Sequence, residues 1–478
     1  MGSLANVNSA VATSIINQDQ LREKVAEQFP EIQSILEDLV RIPSVSAPAF
    51  DQEQVETSAA VVADLFRVAG FDDVRINRSL KNPESGTAAS DPMGAPAIIA
   101  RRAGALGAPT VMLYAHHDVQ PPGEGWETDP FVPTQRGERL FGRGAADDKA
   151  GIVAHLGAIR ALTALNALPN IGIVVFIEGE EEIGSPSFEN FLHDNRELLK
   201  ADVIVVADSG NWQIGVPGLT TSLRGLVDGI VEVSVLDHAV HSGMFGGPVL
   251  DANVALARLI STLHDDTGNV AVAGLYQAPE PSVDYDEADF RNDSSLLSEV
   301  ELAGTGSITS RLWAKPAISV IGIDATPIAK SANVMAPTSR AKISMRIPAG
   351  ETPASAAAAL EKHLLSHAPF GARVTWQLNE AGNPFQAPAD SPAMQAARRA
   401  FAASWGVDPV DIGIGGSIPF IAHLLAEYPN AEILVTGVED PDSRAHGANE
   451  SVHLGELQKV IMAEALLLIE IAQLGTAS

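Results

Sequence analysis

VMLYAHHDVQPPG, residues 111–123, is an apolar run that stops on two histidines and an aspartate and then turns through two prolines and a glycine. A run of this kind without strict alternation reads as a strand buried on both faces, and its polar tip marks the strand's carboxyl end. Three further segments share the form: IGIVVFI (171–177), DVIVVA (202–207) and AEILVTG (431–437). Helical patterns separate them. DDKAGIVAHLGAIRALTAL (147–165) sets Ile152, Leu156, Ile159 and Leu162 at helical spacing behind two acids at the favourable N-terminal end. Strand, loop, helix, strand is the grammar of an α/β fold, here a mostly parallel sheet with helices on both faces.

Between about Leu223 and Phe385 the pattern changes. GLVDGIVEVSVLD (225–237) and SRAKISMRIPAG (339–350) alternate like half-buried strands, while DANVALARLISTLH (251–264) and PASAAAALEKHLLSH (353–367) read as helices. The acidic stretch SVDYDEADFRNDSS (282–295) interrupts them, and SPAMQAARRAFAAS (391–404) resumes the first pattern. The expectation is a core domain of residues 1–222 and 386–478, with an α+β domain of residues 223–385 inserted.

Composition narrows the chemistry. The chain has 478 residues, enough for more than one core, and a net charge of −29. A surface that acidic repels phosphate backbones and anionic lipids, so neither nucleic acid nor membrane is an expected partner. With no cysteine at all, disulfides, thiolate metal sites and a cysteine nucleophile are excluded, leaving His, Asp and Glu to hold any metal. The first twenty residues lack a basic region followed by a long apolar core, which points to a cytoplasmic protein. The long apolar run VIMAEALLLIEIAQL (460–474) carries Glu464 and Glu470 and is no membrane span.

Candidate ligands follow each strand at once: AHHD (115–118), EGEEEIGS (178–185), ADSGNW (207–212) and GVEDPDSRAHG (437–447). Carboxyl ends of strands are where sites assemble in open α/β sheets, so four such endings are expected to converge on one crevice. On extended backbone His116 and Asp118 share a face and His117 turns away. Asp118 is therefore spaced to take the other ring N–H of a metal-bound His116.

The ordered fragments HHDVQPPGEGWETDPFVP (116–133), LFGRGAADDKAG (140–151), EGEEEIGS, VADSGNW (206–212), HSGMFGG (241–247), GGSIP (415–419) and AHGANE (445–450), preceded by DLVRIPSVS (38–46), resemble the signatures of the M20 metallopeptidase family. The likeness is to its carnosinase-like and non-specific dipeptidases. It implies a catalytic domain with an inserted lid and dimerisation domain, and two divalent ions, zinc foremost with manganese or cobalt as alternatives. His116 and Asp208 would hold one ion, Glu182 and His446 the other, and Asp147 would bridge them. It also implies a cis peptide after Asp147, Glu181 as general base, and a homodimer in which His241 reaches into the other subunit's site. Arg346, Asn333, Gly416 and Ser417 match positions that bind the substrate's terminal carboxylate, although carnosinase-type relatives favour Thr where this chain has Asn333. The implied reaction is amide hydrolysis in dipeptides by a metal-bridged hydroxide. The alternatives are an N-acyl-amino-acid deacylase or carboxypeptidase of the same fold, or a non-catalytic peptide-binding protein. His117 is expected not to ligate, His155 to be a packed core histidine, and Glu178 and Glu180 to be solvated or structural.

Overall fold

The computed structural model describes residues 17–82, 92–416 and 419–474. Residues 1–16, read above for a leader, and Ser417 lie outside them. Of the eighteen strands among the described residues, ten frame the site and the inserted unit: β1 (Thr110–His116), β2 (Gly172–Glu178), β3 (Val203–Val206), β4 (Gly218–Leu223), β5 (Gly225–Ser234), β6 (Ala317–Asp324), β7 (Thr338–Ile347), β8 (Arg373–Gly382), β9 (Val410–Ile414) and β10 (Glu432–Val435). The four segments first read as buried strands are β1, β2, β3 and β10, and they lie side by side in the order β2–β1–β3–β10, all parallel. All of β2 and β3 and six of the seven residues of β1 are buried. Antiparallel pairing appears only toward the edges, where Ala97–Arg102 joins β2 and Phe385–Gln386 joins β4.

Helices close both faces of this sheet. On one side α1 (Gln18–Val40), α2 (Lys149–Ala164), α5 (Pro392–Trp405) and α6 (Leu454–Leu474) pack against one another. On the other, the Tyr114 ring stacks on Phe420 at 4.5 Å and Phe176 on Phe191 at 5.2 Å. Among the described residues no helix is long and apolar enough to cross a membrane.

The chain leaves the sheet after β4 and passes through Arg224 into a second sheet, antiparallel in the order β6–β7–β5–β8. It returns at Phe385, beside the strand it left. Helices α3 (Ala252–Ser261) and α4 (Pro353–Ser366) lay Leu256, Leu259, Leu360 and Leu364 onto Val231, Val233 and Ile343, a core separate from the first.

Candidate metal centre

Because β1, β2, β3 and β10 run parallel and adjacent, their carboxyl ends open on one edge of the sheet. β1 ends on His116 itself. The turn Glu181–Ile183 follows β2, Asp208 follows β3, and the loop after β10 carries His446. The N-terminus of α2 supplies Asp147 and Asp148, and the peptide bond between them is cis.

These side chains meet at Asp147. Its Oδ1 lies 3.0 Å from His116 Nε2 and its Oδ2 3.0 Å from His446 Nε2. Asp208 Oδ1 stands 3.9 Å from His116 Nε2, and Glu182 Oε2 3.2 Å from His446 Nε2. The five residues expected as ligands thus form one chain of contacts drawn from five separate stretches of sequence. Three donors drawn from His116, Asp147 and Glu182, and three from His116, Asp148 and Asp208, lie within 4.8 Å of one another.

A layer of hydrogen bonds holds this constellation. Asp118, fully buried, accepts the backbone N–H of Glu181 on one oxygen and that of Glu182 on the other. His116 Nδ1 lies 3.1 Å from the Asp118 carbonyl and 3.4 Å from its carboxylate. Gln120 donates both its backbone and side-chain N–H to Glu182. The buried Glu450 accepts from the backbone N–H of Gly144, Ala146 and Asp147 and pairs with Arg143 at 2.7 Å, while Arg143 donates to the His446 carbonyl at 3.1 Å. That grip fixes His446 at φ 62°, an uncommon conformation for a residue with a side chain.

The charges at this edge are crowded. Burial, with neighbouring acids behind it, pushes Asp208 up to about 7, and burial and then Asp208 push Glu181 up to about 9. The hydrogen bonds to Asp147 and then Glu182 lift His446 to about 11. Burial works against charge on Asp147, yet its bonds to His116 and His446 hold its carboxyl well below the usual range. Asp148 Oδ1 is buried without a partner. Carboxylates gathered this closely need cations between them, and an all-oxygen and imidazole donor set suits hard-to-borderline divalent ions. The residues therefore fit a metal pair.

Other candidates fall elsewhere. His117 points away, with Nε2 donating to the Pro96 carbonyl at 2.9 Å, and burial brings it down to about 4. His155 packs in the core between Glu464 and the Tyr114 carbonyl. Glu178 and Glu180 are buried rather than solvated: Tyr114 donates to Glu178, and Ser187 and the Ala95 N–H donate to Glu180. His241 is exposed in the second sheet's region, where its Nδ1 accepts the Gly243 N–H, so it does not join its own chain's cluster. Asn333 is exposed next to it, its carbonyl accepting the Ser242 N–H. Arg346 is half-buried on β7, and Gly416 is half-buried after β9. The sequence reading assigned no place to Asp148 in the donor set, to the Arg143–Glu450 clamp, or to Glu439, which lines the same cleft. For Glu450 and Glu439 the only available signal was membership in the quoted motifs.

A model for peptidase family M20/M25/M40 matches residues 112–470. The Cysteinylglycine-S-conjugate dipeptidase of Corynebacterium striatum is 37% identical over 369 residues, covering 76% of this chain and 81% of the relative. The Beta-Ala-His dipeptidase of Homo sapiens is 28% identical over 469 residues, covering 93% and 90%. The crystal structure of human carnosine dipeptidase 1 superposes with a TM-score of 0.74 at 26% identity, over 95% of this chain and 99% of that one. The di-peptidase Dug1p of Saccharomyces cerevisiae shares the fold, with a TM-score of 0.75 at 22% identity, over 96% and 99%.

Proposed function

The chain belongs to peptidase family M20/M25/M40, and from that membership and the cluster around Asp147 we propose a binuclear metal-dependent dipeptidase. The observation that carries the proposal is Asp147 itself, one oxygen turned to each of two imidazoles, His116 and His446. His116 and Asp208 would hold one ion and His446 and Glu182 the other, with Asp147 as the ligand shared between them. Zinc suits these ligands best, with manganese or cobalt as alternatives. The names of the relatives, both dipeptidases, support a free dipeptide as substrate.

Two divalent ions bound here supply Lewis-acid polarisation of the scissile carbonyl and an acidified water. The rest is done by side chains. Glu181 lines the same cleft as Asp147, Asp208 and His446, takes the proton from the attacking water and returns it to the departing amine. Asp118 aims both His116 and the Glu181–Glu182 turn. Arg346 receives the terminal carboxylate, aided by Asn333, Gly416 and Ser417. Burial, and then the charge of nearby Arg346, lowers Arg224 to about 10, which supports a second cation on the carboxylate's side. His241 of the partner subunit donates to the developing oxyanion, which requires a homodimer, with residues 223–385 as lid and dimerisation unit on a catalytic unit of residues 1–222 and 386–478. The enzyme works in the cytoplasm.

The test is metal analysis of purified protein, then a panel of dipeptides, N-acyl amino acids and longer peptides with and without chelator. Two ions per chain and chelator-sensitive cleavage of dipeptides are expected. Cleavage of N-acyl amino acids or longer peptides alone, or indifference to chelation, overturns the proposal.

A further inference from the structure

The cleft opening from Asp147, Glu181, Asp208 and His446 has a volume of about 460 Å³, within the range of small-ligand sites. Its far wall is aromatic. Trp212 and Tyr285 stack at 4.8 Å between ring centroids, and Trp313 stands edge-on to Trp212 at 6.2 Å and at 6.2 Å from Tyr285. Ile412 and Ile414 extend the apolar surface. The three rings come from distant segments: Trp212 lies four residues beyond Asp208, Tyr285 sits in the acidic stretch of the inserted unit, and Trp313 in the helical turn Ser310–Ala314. Gly413 makes room for them, because a Cβ there would lie 2.6 Å from Trp313 Cγ.

None of Arg346, Asn333 and Gly416 lines this cleft. With a substrate's carboxylate on those residues and its scissile bond at the Asp147 cluster, this cleft is left for its other half. Asp293 borders the space and disfavours an acidic side chain there. We propose that Trp212, Tyr285 and Trp313 form the subsite for the side chain N-terminal to the scissile bond, selecting bulky apolar groups such as an aromatic ring or a substituted thioether. This rests on the dipeptidase proposal above.

The test compares kcat/KM for Phe-Gly and S-benzyl-cysteinylglycine with Gly-Gly and Glu-Gly, in wild type, Trp313→Ala, Tyr285→Ala and Gly413→Ala. The last variant keeps every aromatic ring but displaces Trp313. Wild type is expected to favour the bulky substrates by about 10-fold or more, and each variant to lose more on them than on Gly-Gly by a similar factor. Tryptophan fluorescence of metal-loaded Glu181→Gln protein, in which turnover is blocked, should respond to Phe-Gly at lower concentration than to Gly-Gly, and adding Trp313→Ala should erase the difference. Equal losses on Phe-Gly and Gly-Gly, or a wild-type preference for Gly-Gly or Glu-Gly, overturn the subsite. If only N-acylglycines are cleaved, the dipeptidase proposal fails instead, and benzoylglycine against acetylglycine reads the same wall: equal rates overturn it.

Discussion

The carboxylate of Asp118 accepts the backbone N–H of Glu181 at 3.2 Å, and its second oxygen accepts that of Glu182 at 3.1 Å. One buried acid at the tip of β1 thereby aims the base and a ligand at the end of β2, while also facing the ring of His116. Asp118→Asn cannot serve both N–H groups, since its amide nitrogen would confront one of them. The expected result is a 10- to 100-fold fall in kcat or metal affinity, about the usual cost of losing an outer-shell partner. Steady-state kinetics with metal titration reads it, and wild-type values for both would show that Asp118 aims nothing.

Glu181 and Asp147 are neighbours in the cleft with separable tasks. Glu181→Gln should lower kcat by about 10²- to 10⁴-fold and keep its metal, as expected for loss of a proton carrier alone. Asp147→Asn, which weakens the donor shared by His116 and His446, should lose bound metal along with activity. Metal analysis beside kinetics separates them. A Glu181→Gln protein that emerges metal-free, or an Asp147→Asn protein that stays fully loaded, would reverse the assignment.

Chelation should also be visible in stability. A ligand that binds only the folded chain stabilises it by about 2.7 kcal/mol at 100 times its Kd. Wild type should therefore lose several degrees of Tm on metal removal, and Asp147→Asn should lose little. Identical shifts in the two proteins would place the stabilising metal elsewhere.

The parallel core was legible because its strands are apolar along their whole length, and ligands placed just beyond such strands had to share one edge. Asp147 and the four donors around it were named by the resemblance to the M20 family. What stayed hidden depends on pairs remote in the chain. Arg143 and Glu450 are 307 residues apart, so neither periodicity nor spacing couples them. Glu178 and Glu180 stayed open between solvated and structural because their partners, Tyr114 and Ser187, are brought in by folding. β6 and β8 escaped notice for a different reason: only Ile318 and Val320 of one and Val374 and Trp376 of the other pack on the core, and the rest of each strand is largely exposed. Tyr285 sat in a stretch whose acidity pointed only to a loop.

The Arg143–Glu450 pair should not be replaceable by apolar residues. Removing Arg143 alone leaves a buried carboxylate without its cation, at a cost of about 3–5 kcal/mol. In many proteins a double apolar swap recovers such a loss, but Glu450 also accepts three backbone N–H groups around Asp147. Arg143→Met with Glu450→Leu should therefore be no more stable than Arg143→Met, and should bind metal poorly. Denaturant melts of the two variants decide it, recovery in the double variant being the contrary result.

His155 and Glu464 provide the opposite case. Nδ1 of His155 lies 2.8 and 2.9 Å from the two Glu464 oxygens and Nε2 lies 3.1 Å from the Tyr114 carbonyl, so both ring nitrogens face acceptors and both must carry protons. Burial opposes that charge, but Glu464 overcomes it and raises His155 above its ordinary 6.5. The folded chain then holds this proton more tightly than the unfolded one. Its contribution to stability is complete below about pH 6.5 and is lost as pH rises through the folded value, because there the unfolded state binds fewer protons. His155→Leu alone should cost about 3–5 kcal/mol by stranding Glu464, and His155→Leu with Glu464→Leu should regain most of it, since among the described residues no backbone N–H donates to the Glu464 carboxylate. The double variant should also show a flatter stability profile above pH 6.5 than wild type. Urea melts across pH 6 to 9 measure the difference, and parallel profiles would mean that His155 carries no proton the unfolded chain lacks.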